Sequence, residues 1–421
     1  MLMTHVEPPL ADLLEFIAQD GCSDTQFDQL ALRLFAYQYG ANPAYRSFCQ
    51  RRGATPRRVT TWSDIPPVPI DAFKAMELRC EPPRPDERVF MTSGTTRADM
   101  RGRHFHPHLE VYDLSMTRHF AQRFMQGVQR LPMGILFPDE TAMPNSSLAH
   151  YLALAKSTFG TANSRYFMTP QGMDLQALWQ TLEQAEGEGR PYALLGASFS
   201  FVHVIDALRR EGRRFRLPAG SRILDTGGYK KQSRELPLEA FYAELSELLG
   251  VPRTLCINMY GMTELSTQFY DDGNATLPSV KSGPHWIRSR LVDPVTGQNV
   301  PQGERGILAH CDLGNFNSVT TILTEDVGAP AEGGFLLLGR AEGAQAKGCS
   351  LAVEEFLRSS APRTCAGSKP ATCPAWPRTR SAGTRHPSRA TASNWRSRCP
   401  SCRRRRCRRW RSACAPPAPS I

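Results

Sequence analysis

Apolar positions Phe27, Leu30, Leu34 and Phe35 recur at the three- and four-residue spacing of one helix face, and Ser23 followed by Gln26 predicts a capping box where that helix starts. This stretch is core rather than chemistry. Pro66-Pro67-Val68-Pro69 breaks helix and leads into 70–76, after which a proline-rich link, 81–85, follows. Short apolar runs at 134–137, 192–195, 222–224 and 255–259 predict buried strands, while 174–187 and 238–249 carry helical periodicity. Strands alternating with helices predict an α/β fold, a largely parallel or mixed sheet with helices on its faces. No internal repeat is visible.

At 421 residues the chain is long enough for a large core and two or more structural units. No segment is apolar enough to span a bilayer, and residues 1–9 contain Glu7 and no basic cluster before an apolar core, so a cytoplasmic protein is expected. The net charge of +11 resides at one end. Residues 359–421 hold fourteen Arg and one Lys against no Asp or Glu; subtracting those from the 51 basic residues leaves 36 against 40 acidic ones, a body of −4. That tail also lacks Leu, Val, Phe, Met and Tyr, its only Ile is Ile421, and it holds six of the twelve Cys. Three readings are open. It is a nucleic-acid arm using Arg403 to Arg406 and Trp410, a metal-binding segment around Cys399 and Cys402, or the product of a GC-rich gene translated out of frame. The third is favoured, and under each the segment lacks the composition to fold alone. The body cysteines Cys22, Cys49, Cys80, Cys256, Cys311 and Cys349 are scattered, as suits reduced thiols.

Candidate chemistry begins at Thr92-Ser93-Gly94-Thr95-Thr96, small residues whose backbone N–H groups and hydroxyls can close around a phosphate. It is not the GxxxxGK[ST] loop, and a Ser/Thr/Gly surface turn has the same composition. Asp225-Thr226-Gly227-Gly228-Tyr229-Lys230 and Asn258-Met259-Tyr260-Gly261-Met262-Thr263-Glu264 end predicted strands, where open α/β sheets place ligands. Thr324-Glu325-Asp326-Val327-Gly328, Gly339-Arg340 and Lys347-Gly348-Cys349-Ser350 follow. His104, His106 and His108 alternate as in a metal site or along one strand face, without a fourth ligand at recognisable spacing. Gly196-Ala197-Ser198-Phe199-Ser200 lacks the closing glycine of a nucleophile elbow; Ser198 or Ser200 is expected to cap the next helix, and Phe199 to border an acyl pocket.

In this order the motifs resemble the adenylate-forming superfamily of acyl ligases: TSGTT its phosphate loop, YGMTE its adenine and magnesium motif, EDVG its ribose motif and GRAEG its hinge. The likeness runs from about Trp62 to Arg358, and GRAEGAQAKGCSL is most similar to the LuxE-type acyl-protein synthetases. The resemblance implies a large adenylate-forming catalytic domain over 1–338, helical to about residue 85. A hinge and short C-terminal segment at 339–358 and the Arg/Cys/Pro-rich tail at 359–421 follow, the usual C-terminal domain being minimal or missing.

It further implies ATP-dependent activation of a fatty or other carboxylic acid as acyl-AMP, acyl transfer to Cys349, and delivery to an acyl reductase partner. A coenzyme A or carrier-protein ligase of the same superfamily, and a nucleic-acid-binding protein acting through the tail, are the alternatives. The implied ATP and AMP ligands are Thr92, Ser93, Gly94, Thr95, Thr96, Gly227, Gly228, Tyr260, Gly261, Thr263, Asp326 and Arg340. Glu264 would hold Mg²⁺, a cation that prefers oxygen ligands. Cys349, Lys230 and Arg340 are the implied catalytic residues, with Lys347 favouring the Cys349 thiolate. The chain departs from the superfamily in lacking a lysine after the phosphate loop; Arg97, Arg101, Arg103 and Lys230 are the nearby cations.

Overall fold

Ser23 does form the expected capping box: its hydroxyl accepts from Gln26 N at 3.2 Å and its own N–H donates to Gln26 Oε1 at 2.8 Å. The computed structural model describes residues 8–92, 101–228 and 233–360, without the side chains of 344–349, 359 and 360. These residues all belong to one unit. Helices α1 (Leu10–Ala18), α2 (Asp24–Ala41) and α3 (Pro43–Arg51) open the chain, and Phe27, Leu30, Leu34 and Phe35 of α2 are buried as their spacing predicts. Strand β1 (Val68–Pro69), α4 (Ala72–Ala75) and the antiparallel pair β2 (Arg88–Met91) and β3 (Arg103–His106) follow.

Helix α5 (Leu109–Phe120) leads into a sheet built by β4 (Met133–Leu136), α6 (Ser147–Phe159), β5 (Arg165–Tyr166), the small pair β6 (Met168–Thr169) and β7 (Gly172–Met173), α7 (Leu175–Gly187), β8 (Ala193–Ala197), α8 (Ser198–Glu211), β9 (Arg222–Thr226), α9 (Leu238–Leu249), β10 (Cys256–Tyr260) and β11 (Phe269–Tyr270). The sheet order is β11-β10-β9-β8-β4-β5, and every pair is parallel except β10 with β11. Consecutive residues of its strands serve opposite faces. Leu195, Leu224 and Ile257 join Phe120 and Tyr151 in one cluster; Leu194, Ile223 and Cys256 join Leu178, Phe201 and Leu245 in another. Both faces are covered, which is why these strands read as continuous apolar runs rather than alternating ones.

A second, largely antiparallel sheet contains β12 (Val280–Lys281), β13 (Ile287–Val292), β14 (Gly306–Asp312), β15 (Thr321–Ala331) and β16 (Gly334–Arg340), with β1 joining β15. The mixed α/β architecture expected from the sequence is therefore present. Gly339-Arg340 closes β16, and α10 (Gly343–Ser360) follows after two residues, so Cys349 falls within a helix.

Helix α10 packs on α3, β1 and α4. Phe356 is fully buried with its ring 4.8 Å from that of Phe48, and Arg52 Nε donates to Glu355 Oε1 at 2.9 Å. Phe356→Ala is expected to cost about 3 kcal/mol or more, through lost burial and a cavity, and to lower the urea midpoint accordingly. No described helix is long and apolar enough to cross a membrane.

Candidate active site

Where β9 and β10 end at their carboxyl termini, a cleft of about 640 Å³ opens between the two sheets. Beside Ile70 and Lys74, five motif stretches line it: Thr92 just after β2, Gly227 and Gly228 after β9, residues 258–264 along and after β10, Glu325 and Asp326 on β15, and Gly339 and Arg340 on β16. The motif residues that are described thus converge. Ser93, Gly94, Thr95, Thr96, Arg97 and Lys230 lie outside the described residues, as do the side chains of Lys347 and Cys349. Arg101 is exposed, and Arg103 Nη1 pairs with Glu77 at 3.1 Å.

Backbone approach is tight at two places. Thr92 N–H donates to Gly102 O at 3.0 Å and Gly102 N–H to Thr92 Oγ1 at 2.9 Å, so the two ends of the 93–100 segment are held together. A Cβ on Gly102 would stand 3.2 Å from Glu264 Oε1, which glycine avoids. Gly227 has φ +76°, a left-handed conformation that side-chain-bearing residues rarely adopt.

Glu264 is buried, and that burial pushes its carboxyl up from 4.5 to about 7. A hydrogen bond from its own backbone N–H opposes the shift, as do Lys74 and Arg340 as charges acting through space, while Asp71 adds to it. A buried carboxylate lining a cleft and only partly compensated is an oxygen donor suited to a divalent cation, so the residues present fit Mg²⁺. His104 supports the same turn: its Nδ1 donates to Thr263 O at 3.0 Å while Nε2 lies 3.2 Å from Ser318 Oγ. His106 is buried beside Phe90 with its ring 4.2 Å from that of His104, and His108 Nε2 lies 3.0 Å from Glu81 Oε1; the three form no metal-ligand group among the described residues.

Across the cleft, Tyr260 hydroxyl donates to Asp326 Oδ2 at 2.8 Å, and Arg340 Nη1 sits 3.1 Å from Asp326 Oδ1. Arg340 Nη2 pairs with Glu325 Oε2 at 2.9 Å. Asp326 and Arg340 are register partners on β15 and β16, which explains why two motifs distant in sequence meet here. Below Gly227 lies Asp225, fully enclosed, whose carboxylate accepts from Ser198 Oγ at 2.7 Å, Asn258 Nδ2 at 2.9 Å and Tyr242 hydroxyl at 3.0 Å. Lys281 Nζ in turn donates to Asn258 Oδ1 at 2.6 Å and pairs with Asp271 Oδ2 at 2.7 Å. This buried network fixes the strand ends that carry the cleft.

One expectation needs correction. Neither Ser198 nor Ser200 caps α8, whose N-cap is Ala197 without a side-chain bond; Ser198 is drawn instead to the Asp225 carboxylate and the carbonyls of Thr226 and Gly227. Motif matching also missed Lys74 and Gly102, and gave Asp225, at the head of the 225–230 motif, no role of its own. Lys74 carries no motif signature, since only the docking of α4 beside the cleft brings it near Glu264. Phe199 does border a second, mainly apolar cavity of about 150 Å³ that shares Gly227, Gly228, Met259, Gly261, Met262 and Thr263 with the cleft.

The family model of the acyl-protein synthetase LuxE matches residues 16–358. A long-chain-fatty-acid–luciferin-component ligase from Vibrio harveyi is 25% identical over 313 residues, covering 72% of this chain and 80% of that protein. Its namesake from Aliivibrio fischeri is 24% identical, with 72% and 79% covered. Among solved structures, 2-hydroxyisobutyryl-CoA ligase in an open conformation with 2-HIB-AMP and CoA superposes with TM-score 0.54 at 15% identity, covering 75% of this chain and 74% of the other. The same ligase in its postadenylation state gives TM-score 0.55 at 15% identity, with 75% and 67% covered. These likenesses show the adenylate-forming fold, and the match over 16–358 shows that the chain belongs to the LuxE acyl-protein synthetase family of AMP-forming ligases.

Proposed function

We propose that this chain condenses a fatty or other carboxylic acid with ATP to give an acyl adenylate and pyrophosphate, and then takes the acyl group onto Cys349. One observation carries the reading: five motif stretches scattered from Thr92 to Arg340 line a single cleft beside an apolar cavity. In the first step a carboxylate oxygen bonds to the α-phosphorus of ATP and the bond to pyrophosphate breaks. In the second, the Cys349 thiolate bonds to the acyl carbon and AMP leaves with the electron pair of the broken C–O bond.

The first step joins two anions, so donors and positive charge must be in place beforehand. Thr92 to Thr96 would supply donors to the phosphates, with Thr263 beside them and Lys230 replacing the missing loop lysine. Gly227, Gly228 and Gly261 would let the base approach the backbone, with Tyr260 alongside it. Asp326 would accept from the ribose hydroxyls while Arg340 reaches the AMP. Glu264 would hold Mg²⁺, which when bound neutralises charge on the departing pyrophosphate. Residues 1–338 would form the catalytic domain and 339–358 the segment presenting the acceptor, in a cytoplasmic protein that delivers its acyl group to a partner reductase. The nucleic-acid alternative rests on the tail alone, which lies outside the described residues.

The test is pyrophosphate exchange into ATP that depends on an added carboxylic acid and on Mg²⁺; no exchange with any acid would overturn the proposal. Asp326→Asn removes one charge from the Arg340 pair and an acceptor aimed at ribose. It is expected to raise KM for ATP about tenfold with a smaller change in kcat, measured in the same exchange assay.

A further inference from the structure

The cleft carries more acid than base. Glu264, Glu325 and Asp326 line it as acids, and among the described residues Lys74 and Arg340 line it as cations. Arg340 is engaged by Asp326 at 3.1 Å and by Glu325 at 2.9 Å. Lys74 is the other cation, and the fold holds it firmly at the Glu264 end.

Strand β1 pairs in parallel with β15, and Ile70 N–H donates to Leu323 O at 3.0 Å, so α4 starts from a point fixed on the second sheet. Phe73 is fully buried, its ring edge-on to that of His104 at 5.6 Å, and His104 Nδ1 donates in turn to Thr263 O. Lys74 follows Phe73 and is thereby delivered beside the 263–264 turn. One point marks the meeting: a Cβ on Gly102 would stand 3.0 Å from Thr92 Cγ2, 3.2 Å from Glu264 Oε1 and 3.6 Å from Lys74 Cγ.

The Lys74 ammonium lies 2.5 Å from Asp71 Oδ1, in a pair whose two side chains are both partly exposed. Burial opposes the charged form, but the hydrogen bond and charge of Asp71 and the charges of Glu325 and Glu264 more than offset it, leaving the pKa raised. A partly exposed pair of this kind contributes little to stability, so its ammonium can turn on a flexible stem towards a phosphate at little cost.

Resting on the adenylation reading above, we infer that Lys74 contacts the β- and γ-phosphates of ATP, so that α4 supplies a cation, alongside Lys230, where the loop lysine is missing. The nucleoside is proposed to lie at Tyr260 and Asp326. A cation beside Thr92 and Glu264 therefore meets the part of ATP that departs as pyrophosphate, and offsets the charge that develops there.

The experiment measures binding of ATP, pyrophosphate and AMP by titration calorimetry with Mg²⁺, beside acid-dependent pyrophosphate exchange. Lys74→Ala, in protein whose circular dichroism matches the parent, is expected to weaken ATP and pyrophosphate binding about tenfold or more and to leave AMP binding within about twofold. Exchange should fall about thirtyfold or more, and Lys74→Arg should recover it to within about fivefold of the parent. Asp71→Asn breaks the same ion pair from its other side and should keep exchange within about threefold, which separates a phosphate contact from a structural pair. Exchange by Lys74→Ala within about twofold of the parent, an equal loss of AMP binding, or an Asp71→Asn defect as large as that of Lys74→Ala overturns the Lys74 contact alone. A parent that shows no exchange with any acid overturns the adenylation reading itself.

Discussion

Replacing Cys349 with serine is expected to abolish the hydroxylamine-sensitive acyl label on the protein while leaving acid-dependent pyrophosphate exchange within about twofold of the parent. A thiolate attacks an acyl-AMP mixed anhydride readily, whereas a serine hydroxyl at neutral pH lacks both the ionised form and the intrinsic nucleophilicity. The two half-reactions should separate because the cleft residues proposed to serve adenylation lie between Thr92 and Arg340, and Cys349 follows them in α10.

That helix is anchored at its far end by Phe356 and the Arg52–Glu355 pair, and it leans on α4, the element that brings Lys74 to the cleft. Cys349, the proposed acceptor, is therefore carried on a helix that contacts α4, and a second-step nucleophile needs such closeness to the first site. Labelled acid with ATP and Mg²⁺, followed by denaturing electrophoresis with and without hydroxylamine, reads the outcome. A label retained by Cys349→Ser, or one that appears only when coenzyme A is added, would falsify the transfer to Cys349.

Glu264→Gln is expected to lower pyrophosphate exchange by about a hundredfold or more, since it removes the carboxylate proposed to hold Mg²⁺. The same substitution is expected to stabilise the folded protein above neutral pH. Burial raises the folded-state pKa of Glu264 from 4.5 to about 7, so between those values the folded state binds more protons than the unfolded one. Stability from this group consequently falls as pH rises from 4.5 towards 7, and above that the full penalty persists, about 3 kcal/mol at most. Glutamine has the shape without the charge and escapes it. Urea unfolding at about pH 5 and about pH 8 checks the sign: the variant should gain on the parent at the higher pH and show little difference at the lower. Added Mg²⁺ should reduce that gain, because an ion bound only by the folded parent stabilises it. A parent more stable than Glu264→Gln at about pH 8 without Mg²⁺ would contradict a net burial penalty on this carboxylate.

Much of the scaffold was legible from local pattern. The capping box at Ser23 and Gln26, the buried stripe of α2 and the strands β4, β8, β9 and β10 each follow from periodicity within one segment. The motifs at Gly227-Gly228 and at 260–264 were also visible, because loops at strand ends need small or special residues that stand out in sequence. What escaped depends on partners far apart in the chain. Asp225 looks like the end of a strand, yet its carboxylate is engaged by Ser198, Tyr242 and Asn258 from three different elements. Ser198 was expected as a helix cap because that local bond is common, and the buried carboxylate next to it outcompetes the cap.

By itself, then, the amino-acid order determined the α/β class, the placement of most core strands and helices, and the motifs whose described residues line the cleft, since each rests on the spacing or chemistry of neighbouring residues. Only the tertiary structure decided that Asp326 meets both Tyr260 and Arg340, and that Lys74 stands near Glu264. These are properties of packing between distant segments, and neither a period nor a motif encodes the distance at which two such segments come to rest.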